Sequence, residues 1–448
     1  MVGLDTPWFM AKAPRLFQSF FAAFGDLYLY KLSVILFGDC VAKWALFSQL
    51  TNWFMFYCIT RTFSNSLETI LTLVSLYYWP CKEVGFDYCR ISLCYQTNEF
   101  HHMAFGFNGN MKFGFNDAIG IDAKEEKLVV ALIGPYIKGA AVIGVLVLGL
   151  TFLLDCMMYG SWVFVPLNFL RFNFLSAGGD YYGTHKWYWY FTQGFTVIIF
   201  SFLPFSVAGI MQSKHWKLSG FIAWVLGLYS VLGHKEFRFV LPVLPIALMF
   251  SGHSLAALRT SVSANGKGKE SSNINSKCPA KMQLAIFFLL STNLPMALYM
   301  SLVHQRGTED VTYYLSKEVL HGKVTKVLFL MPCHATPYYS MVHRNLPMRF
   351  LDCSPSEEKG NPDESDQFMM DPAGFTSELA KNWSFPSHIV LFDSEERQLR
   401  DFLISHSFRE LHATTHNFTA AINRFFHAHF KVDRDLQASV IVYGLTGD

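Results

Sequence analysis

Charged residues are scarce in this chain, which has 448 residues and is 52% hydrophobic but only 16% charged. Soluble domains carry about a quarter charged residues, so this deficit, with a mean hydropathy of +0.25, indicates a membrane protein. The net charge of +2 and the lack of a basic arm with interleaved aromatic residues give no support for a nucleic-acid partner. The nine cysteines form no CxxC pair, so neither a structural zinc site nor a dithiol redox motif is expected.

Long stretches without Asp, Glu, Lys or Arg mark the candidate membrane spans. A crossing helix needs about 20 mainly apolar residues, and residues 187–213, 239–258 and 282–303 meet that length. Three further stretches are shorter or interrupted, at 44–60, 128–154 and 218–233. Two weaker stretches, at 15–37 and 67–80, bring the number of candidate spans to eight. We therefore predict an α-helical polytopic membrane domain over residues 1–302.

The basic loops predict the orientation of these spans. Residues 259–281 carry five Lys or Arg against one Glu, and the segments 212–217 and 124–127 are basic or mixed. The positive-inside rule assigns all three to the cytosol. Four segments then lie on the opposite, lumenal side: residues 60–68, 178–193 and 233–239 and the tail from residue 303.

Eight spans and a lumenal tail require a lumenal N-terminus as well. The first 20 residues contain no apolar core followed by a small-residue cleavage site, so they do not form a signal peptide. We therefore expect that a further span precedes Met1 and that the sequence is truncated at its N-terminus.

The tail, residues 303–448, is predicted to form a small lumenal α/β domain. Residues 326–333 and 387–393 are short apolar runs typical of strands. Residues 394–408 show helical spacing behind Ser394, which is expected to cap the helix. Residues 354–368 are predicted to be an exposed loop.

Two further features of the tail are characteristic of lumenal proteins. Asn382 and Asn417 stand in N-x-[ST] sequons, which are N-glycosylation acceptors only in the lumen. Cys333 and Cys353 could pair there, although two unpaired buried thiols fit the sequence equally well.

Polar side chains cluster at the lumenal ends of the spans. They fall into four groups: Arg61, Asn65 and Glu68; Asp155, Asn168, Arg171 and Asn173; His185, Lys186 and Gln193; and His234, Lys235, Glu236 and Arg238. Their cations suit a phosphate, and their carboxylates and amides suit sugar hydroxyls. The aromatic run Trp187–Tyr190 offers rings for sugar C–H faces. The combination predicts a site for a lipid-phosphate-linked sugar at the membrane surface.

Each group also has a purely structural interpretation. Trp and Tyr gather at membrane interfaces because of their amphipathic rings, which explains Trp187–Tyr190 equally well. Arg61 and Lys186 could mark span ends, and Glu68 and Asp155 could be structural partners. The segment 234–238 could anchor the interface, with Glu236 neutralising a neighbouring cation, but an anchor does not need both signs so close together.

Four ordered blocks resemble glycosyltransferase family 22. These are HKEFRF at 234–239, TRTFSNSLET at 60–69, the segment 157–173 and HKWYWYFTQG at 185–194. The family consists of multi-span mannosyltransferases of the GT-C fold in the endoplasmic reticulum. Residues 328–355 are similar to the branch that acts on the glycosylphosphatidylinositol (GPI) precursor, and residues 430–443 are similar to the plant members of that branch.

The resemblance implies transfer of mannose from dolichyl-phosphate mannose to the GPI-anchor precursor, as its third, α1,2-linked mannose, in the lumen. It implies donor-phosphate contacts from His234, Lys235 and Arg238. Substrate contacts are expected from Arg61, Asn65, Glu68, Asn168, His185, Gln193 and Glu236. No cofactor or metal ligand is implied, and neither a metal requirement nor a protein partner can be read from the sequence.

Two departures from the family pattern affect this prediction. The family's proposed catalytic Asp lies in an HPDE-type motif on the first lumenal loop, and no such motif occurs here. Residues 81–126 form an atypical insert without a family counterpart. Glu68 and Asp155 are the weak stand-ins for the base, and we expect this chain to be weakly active or inactive. The alternatives are a non-catalytic isoform that binds donor or acceptor, and a lipid-linked sugar transporter.

Overall fold

The computed structural model describes residues 6–78, 141–172 except 143, 183–265, 280–354, 362–382, 385–415 and 439–446. It divides into two compact units, Leu16–Ala297 and Met1–Arg15 with Leu298–Asp448. The predicted insert 81–126 lies outside the described residues.

Helices long and apolar enough to cross a membrane occupy the stretches Phe9–Phe37, Tyr190–Ser213, Phe237–Arg259 and Ala280–Leu320. Two shorter apolar helices, Gly144–Tyr159 and Trp216–Val231, coincide with further predicted spans. The predicted class, an α-helical polytopic membrane protein with a small C-terminal sheet, is confirmed.

The first unit contains α1 (Pro7–Phe37) from Leu16 onward, α2 (Asp39–Thr51), α3 (Trp53–Cys58) and α4 (Ser64–Tyr78). It continues through helices Val165–Leu170, Phe195–Ile199, Leu203–Ser213, Trp216–Val231, Leu244–Asn265 and Ala280–Leu302. A π-helical turn, Tyr190–Gly194, and two 3-10 turns, Phe200–Phe202 and Phe237–Val243, interrupt this series.

The predicted span 44–60 is not one continuous helix, because the backbone breaks at Asn52. Asn52 adopts an extended conformation, with φ −64° and ψ 126°. Its side-chain oxygen accepts a hydrogen bond from the Met55 amide (3.0 Å), and its Nδ2 donates to the Ile198 carbonyl (3.0 Å). An Asn side chain that bonds nearby backbone groups competes with the helix, so α2 ends and α3 begins at this residue.

Helix Leu244–Asn265 is buried along most of its length because two glycines allow close approach. A Cβ added at Gly252 would lie 2.3 Å from the Ala45 nitrogen on α2. A Cβ at Gly209, in helix Leu203–Ser213, would lie 1.9 Å from the Phe250 carbonyl oxygen. Small residues that bring backbones together are typical of membrane helix packing.

Buried hydrogen bonds add to this packing. Asn293 is fully buried, donates to the Ser201 hydroxyl (2.6 Å) and accepts from the Trp53 amide (3.3 Å). Ser206 donates to the Ala247 carbonyl (2.9 Å). Interhelical polar bonds of this kind stabilise bundles for which lipid supplies no hydrophobic driving force.

The predicted cytosolic loop 259–281 is shorter than expected. Helix Leu244–Asn265 continues into it, and the next helix begins at Ala280. Residues 266–279 lie outside the described residues.

The second unit contains a five-stranded sheet in the order β2-β1-β3-β5-β4. The strands are β1 (Val327–Pro332), β2 (Met348–Leu351), β3 (His388–Phe392), β4 (Phe408–Thr415) and β5 (Ser439–Leu445). β1 pairs in parallel with β2 and β3, whereas β5 is antiparallel to β3 and β4. The strands predicted at 326–333 and 387–393 are therefore confirmed as β1 and β3.

Helices cover both faces of this sheet. Helix Gly307–Leu320 packs Val311 and Leu315 against Phe329 and Val390 on one face. On the other face lie helices Glu364–Met370, Pro372–Asn382 and Asp393–Ser405, which supply Phe368, Leu399 and Leu403. The predicted α/β character of this region thus follows from alternate strand residues facing two helical layers.

Two local predictions in the tail were wrong. The helix predicted at 394–408 is confirmed as Asp393–Ser405, but the predicted cap is wrong, because the Ser394 hydroxyl donates to Glu395 Oε1 instead of capping the helix. The predicted loop 354–368 contains the start of helix Glu364–Met370, which Asp363 caps through a bond from the Asp366 amide. Residues 355–361 lie outside the described residues.

The open question of the two tail cysteines is resolved, because Cys333 and Cys353 form a disulfide. It joins the ends of the neighbouring strands β1 and β2. Of the two sequons, Asn382 is the last residue of helix Pro372–Asn382, and Asn417 lies outside the described residues.

Candidate functional site

The segment 183–190 is fastened to the segment 232–236, so the third and fourth predicted groups meet. The His185 amide donates to the Gly233 carbonyl (3.0 Å), and His234 Nδ1 lies 3.1 Å from the Gly183 carbonyl oxygen. Lys235 Nζ donates to the His185 carbonyl (2.9 Å) and to the Leu232 carbonyl. These bonds give the HKEFRF motif a defined position beside His185.

Lys235 is almost completely buried, with 3% of its surface exposed. Its ammonium group is engaged by main-chain oxygens, one of them at the C-terminal end of helix Trp216–Val231. A cation is favoured there by the helix dipole. In this conformation Lys235 holds two segments together, which differs from the phosphate contact expected from the sequence.

Glu236 joins the two remaining cations of the motif. Its Oε1 accepts a hydrogen bond from Arg238 Nη2 (2.7 Å), and Arg238 Nε lies at an ion-pair distance of 2.5 Å from Oε2. His234 Nε2 lies 3.1 Å from Glu236 Oε1. The Arg238 side chain is the most exposed of the three at 42%, against 21% for His234 and 32% for Glu236.

Aromatic rings flank the Arg238 guanidinium. Its Cζ lies 5.8 Å from the centre of the Phe63 ring and 5.9 Å from that of Phe239. Glu236 occupies the Nε edge of the guanidinium, and the planar group has five N–H donors in all. Its Nη1 side can therefore donate to a second anion without releasing Glu236.

The first predicted group lies beside this cation. The Arg61 guanidinium stacks on the Tyr57 ring at 4.0 Å, and both Arg61 and Arg238 lie within electrostatic reach of Cys58. Phe63, against Arg238, belongs to the same turn between α3 and α4. One cation from the first group and one from the fourth therefore lie near Cys58, at the end of α3.

Glu68 is the carboxylate of this region that is not held by a cation. Its Oε2 accepts a hydrogen bond from Asn65 Nδ2 (3.0 Å), and within the described part of the chain it forms no ion pair. Tyr229 lies within electrostatic reach of Glu68 and stacks on Phe239 at 5.9 Å. Tyr229 therefore lies near both Glu68 and the HKEFRF motif.

The aromatic run Trp187–Tyr190 divides into two pairs. Trp187 and Tyr188 are exposed, whereas Trp189 and Tyr190 are buried. The His185 ring stacks on Trp189 at 4.7 Å, and Trp189 packs on Phe237 at 4.9 Å. Tyr190 bonds the backbone of Glu236, a contact that the sequence did not predict because the run has the composition of an interface belt.

Three other residues that the sequence predicts for the site make no polar contact with the HKEFRF motif in the described part of the structure. Asp155 lies in helix Gly144–Tyr159, Asn168 is exposed in helix Val165–Leu170, and Gln193 is exposed in the π-helical turn. Among the described residues, none of the three contacts the HKEFRF motif through a hydrogen bond or ion pair. Asn173 lies outside the described residues.

One group in the second unit has metal-ligand chemistry. The ligand atoms of Cys333, His334 and Cys353 lie within 4.8 Å of one another. The two sulfurs are bonded to each other, however, and a metal needs thiolates. Only His334 remains as a donor, so these residues do not fit a metal site.

The sequence and structure have clear relatives. A profile described as the Alg9-like mannosyltransferase family matches residues 1–343. Mannosyltransferase APTG1 of Arabidopsis thaliana is 56% identical over 458 residues, covering 99% of this chain and 79% of the relative. GPI alpha-1,2-mannosyltransferase 3 of Homo sapiens is 34% identical over 452 residues, covering 99% of this chain and 74% of the relative.

A solved structure with a similar fold is that of ArnT from Cupriavidus metallidurans bound to undecaprenyl phosphate. The TM-score is 0.51 at 11% sequence identity, and the match covers 96% of this chain and 83% of that one. At this identity the likeness concerns the fold alone. ArnT is a membrane glycosyltransferase of the GT-C fold, which confirms the predicted fold class.

Proposed function

The chain belongs to the Alg9-like mannosyltransferase family, and from this premise we propose that it transfers mannose from dolichyl-phosphate mannose to the GPI-anchor precursor. The transferred sugar is the third mannose, in α1,2 linkage. The relatives at 34–56% identity that carry mannosyltransferase names support this substrate class.

We place the reaction on the lumenal side of the endoplasmic reticulum. The disulfide Cys333–Cys353 supports this, because disulfides persist in oxidising compartments such as that lumen. The sequons at Asn382 and Asn417 and the basic residues of 259–281 support the same orientation.

Arg238 is the side chain to which we assign the donor phosphate. It is partly exposed, its charge is oriented by Glu236, and its Nη1 side can take a second anion. A phosphodiester carries one negative charge, and a developing phosphate leaving group is stabilised by a preorganised cation. His234 lies beside Glu236 and is the second proposed contact, while Lys235 keeps the two segments together.

The acceptor hydroxyl must lose a proton as the new bond forms. The donor is β-linked and the product α-linked, so the anomeric centre inverts and a carboxylate base is required. Within the described part of the chain, Glu68 fits this role better than Glu236, because no cation holds its carboxylate. We propose Glu68 as the base, with Arg61, Asn65 and His185 as substrate contacts.

The observation that carries this proposal is the meeting of Arg61, Glu68 and the HKEFRF motif in one unit. It is tested by complementation of cells that lack the third GPI mannosyltransferase, scored by GPI-anchored protein at the cell surface. The sequence alone predicts weak or no activity because the family's catalytic Asp is absent, but with Glu68 as the base in its place we expect this chain to restore the surface signal and to remove the accumulated two-mannose precursor. Arg238→Ala abolishes the rescue at equal protein level.

Other outcomes would support a different function. Binding of the donor without any rescue would favour the non-catalytic isoform. Movement of lipid-linked mannose across vesicles without transfer to an acceptor would favour the transporter. Rescue that persists in Arg238→Ala would contradict the phosphate assignment.

A further inference from the structure

The Tyr190 hydroxyl holds both main-chain groups of one residue in the HKEFRF motif. It donates to the Glu236 carbonyl oxygen at 3.0 Å and accepts a hydrogen bond from the Glu236 amide at 3.2 Å. Glu236 is extended there, with φ −130° and ψ 153°, directly before the 3-10 turn Phe237–Val243. In a sheet, a neighbouring strand would supply the backbone hydrogen bonds of an extended residue. Here a single side-chain oxygen supplies them instead.

Tyr190 can do this because its ring is buried and tightly packed. The residue is fully buried, and its ring packs edge-on against Trp189 at 5.1 Å and against Tyr229 at 6.4 Å. It belongs to the π-helical turn Tyr190–Gly194. Such turns inside helices are frequently found at functional sites.

The other side of the motif is held by Lys235. Its ammonium bonds the carbonyls of His185 and Leu232, so the residues on either side of the Lys235–Glu236 peptide bond are both fixed by buried groups. Glu236 then has a fixed backbone from which its carboxylate reaches Arg238 and His234. The chain of contacts runs from Tyr190 through Glu236 to the guanidinium.

We propose that the Tyr190 hydroxyl is a positioning group for Arg238, which sets the orientation in which the guanidinium meets an anionic lipid phosphate. The inference rests on the proposed function for the identity of that anion. Tyr190 itself does not touch the substrate. Catalytic geometry tolerates only small displacements, so the loss of this hydroxyl weakens donor binding without removing any charge.

The test is Tyr190→Phe, which removes one oxygen and keeps the ring that fills the core. Kinetics are measured on the purified full chain in detergent with dolichyl-phosphate mannose as the varied substrate. We expect the donor KM to rise about tenfold while kcat stays within a factor of about two, because the charged groups all remain. Tyr159→Phe, an exposed tyrosine of helix Gly144–Tyr159, is the matched control and leaves both constants unchanged.

A double-mutant cycle with Arg238→Ala separates positioning from general stability. The cycle uses the donor Kd, measured by binding of dolichyl-phosphate [³H]mannose to the purified chain, because binding does not require turnover. If Tyr190 acts through Arg238, Tyr190→Phe has no further effect on the donor Kd in the Arg238→Ala background. An equal effect in both backgrounds, or an unchanged Kd in the single variant, would overturn the inference. If Arg238→Ala itself leaves the donor Kd unchanged, the proposed phosphate contact fails, and the positioning role fails with it.

A second readout does not depend on turnover. Hydrogen exchange of the backbone amides in 234–239 is compared between wild type and Tyr190→Phe at equal thermal midpoint. Faster exchange confined to this segment is expected, because the Glu236 amide loses its acceptor. Unchanged exchange at Glu236 would show that the hydroxyl does not hold the segment and would contradict the proposal.

Discussion

Arg238 and Glu236 form a two-point ion pair in which both nitrogens on one edge of the guanidinium meet the carboxylate, at 2.7 and 2.5 Å. The pair is partly exposed, and exposed ion pairs contribute little to the free energy of unfolding. Its main effect is therefore to orient the Arg238 guanidinium. A guanidinium fixed in this way presents its remaining N–H groups in one direction.

Glu236→Gln tests this orientation directly. Gln at this position removes the carboxylate charge that fixes Arg238, so we expect the donor KM to rise about tenfold while kcat stays within a factor of about two. Steady-state kinetics with dolichyl-phosphate mannose measure both constants. Glu364→Gln breaks a similar pair with Arg349 in the other unit and serves as the control. An unchanged donor KM would contradict the orienting role.

Glu68→Gln tests the assignment of the base. Removal of a general base lowers the rate by about 10²- to 10⁴-fold, and we expect this loss in kcat with little change in donor KM. Asp155→Asn is measured in parallel, because Asp155 is the other carboxylate that the sequence suggests. A larger loss of kcat in Asp155→Asn than in Glu68→Gln would transfer the role to Asp155.

Thr72→Val and Ser75→Ala are expected to stabilise the first unit. Both hydroxyl oxygens are buried and have no hydrogen-bond partner among the described residues. An unsatisfied buried polar group costs about 1–3 kcal/mol, so apolar replacements raise the free energy of unfolding, measured by denaturant titration in detergent. Thr69→Val, on the same helix, removes a bond to the Asn65 carbonyl and lowers that free energy. A loss of stability in Thr72→Val would show that its hydroxyl binds a buried water.

His388 makes the stability of the second unit depend on pH. Burial lowers the pKa of His388 below its ordinary value of about 6.5, although Glu318 nearby opposes this. The unfolded chain then binds a proton that the folded chain does not, so stability is full above pH about 6.5 and declines as the pH falls below it. Hydrogen exchange of the β3 amides between pH 7.5 and 5 reports the effect.

His388→Gln removes this pH dependence, whereas the exposed His343→Asn retains it. Asn suits position 343 because the backbone there is left-handed, with φ 48°. Equal pH dependence in wild type and His388→Gln would contradict the assignment.

The disulfide makes the second unit sensitive to reduction. Cys333→Ser with Cys353→Ser opens a loop of 20 residues, and closure of a loop of this size contributes about 3 kcal/mol. We expect a lower thermal midpoint for the β-sheet signal of the full chain. In cells, both thiols should react with a maleimide only after reduction. Labelling without reduction would contradict the lumenal placement.

The sequence predicts the spans and the two central strands well, because both depend on local composition. The stretch 239–258 lacks charges and is helical throughout, and the apolar run 387–393 is β3. The break of the span 44–60 at Asn52 could not be predicted from hydropathy, since it depends on a bond to the distant Ile198 carbonyl.

The candidate site was predicted in its residue types but not in their roles. Lys235 has the chemistry of a phosphate ligand, yet the carbonyls that hold it come from His185 and Leu232, which only the fold brings together. Tyr190 looks like part of an interface belt until its hydroxyl is seen against Glu236. Long-range contacts of this kind leave no periodic signal in the sequence.

The measurement that tests the central claim most directly is mannose transfer by the purified full chain. Dolichyl-phosphate [³H]mannose and a GPI precursor with two mannoses are supplied, and the lipid product is digested with an α1,2-specific mannosidase. The account predicts that wild type forms a product with one added labelled mannose and that the mannosidase releases this mannose. Arg238→Ala is expected to form no such product. Bound donor with no labelled product, or a product resistant to the mannosidase, would contradict it.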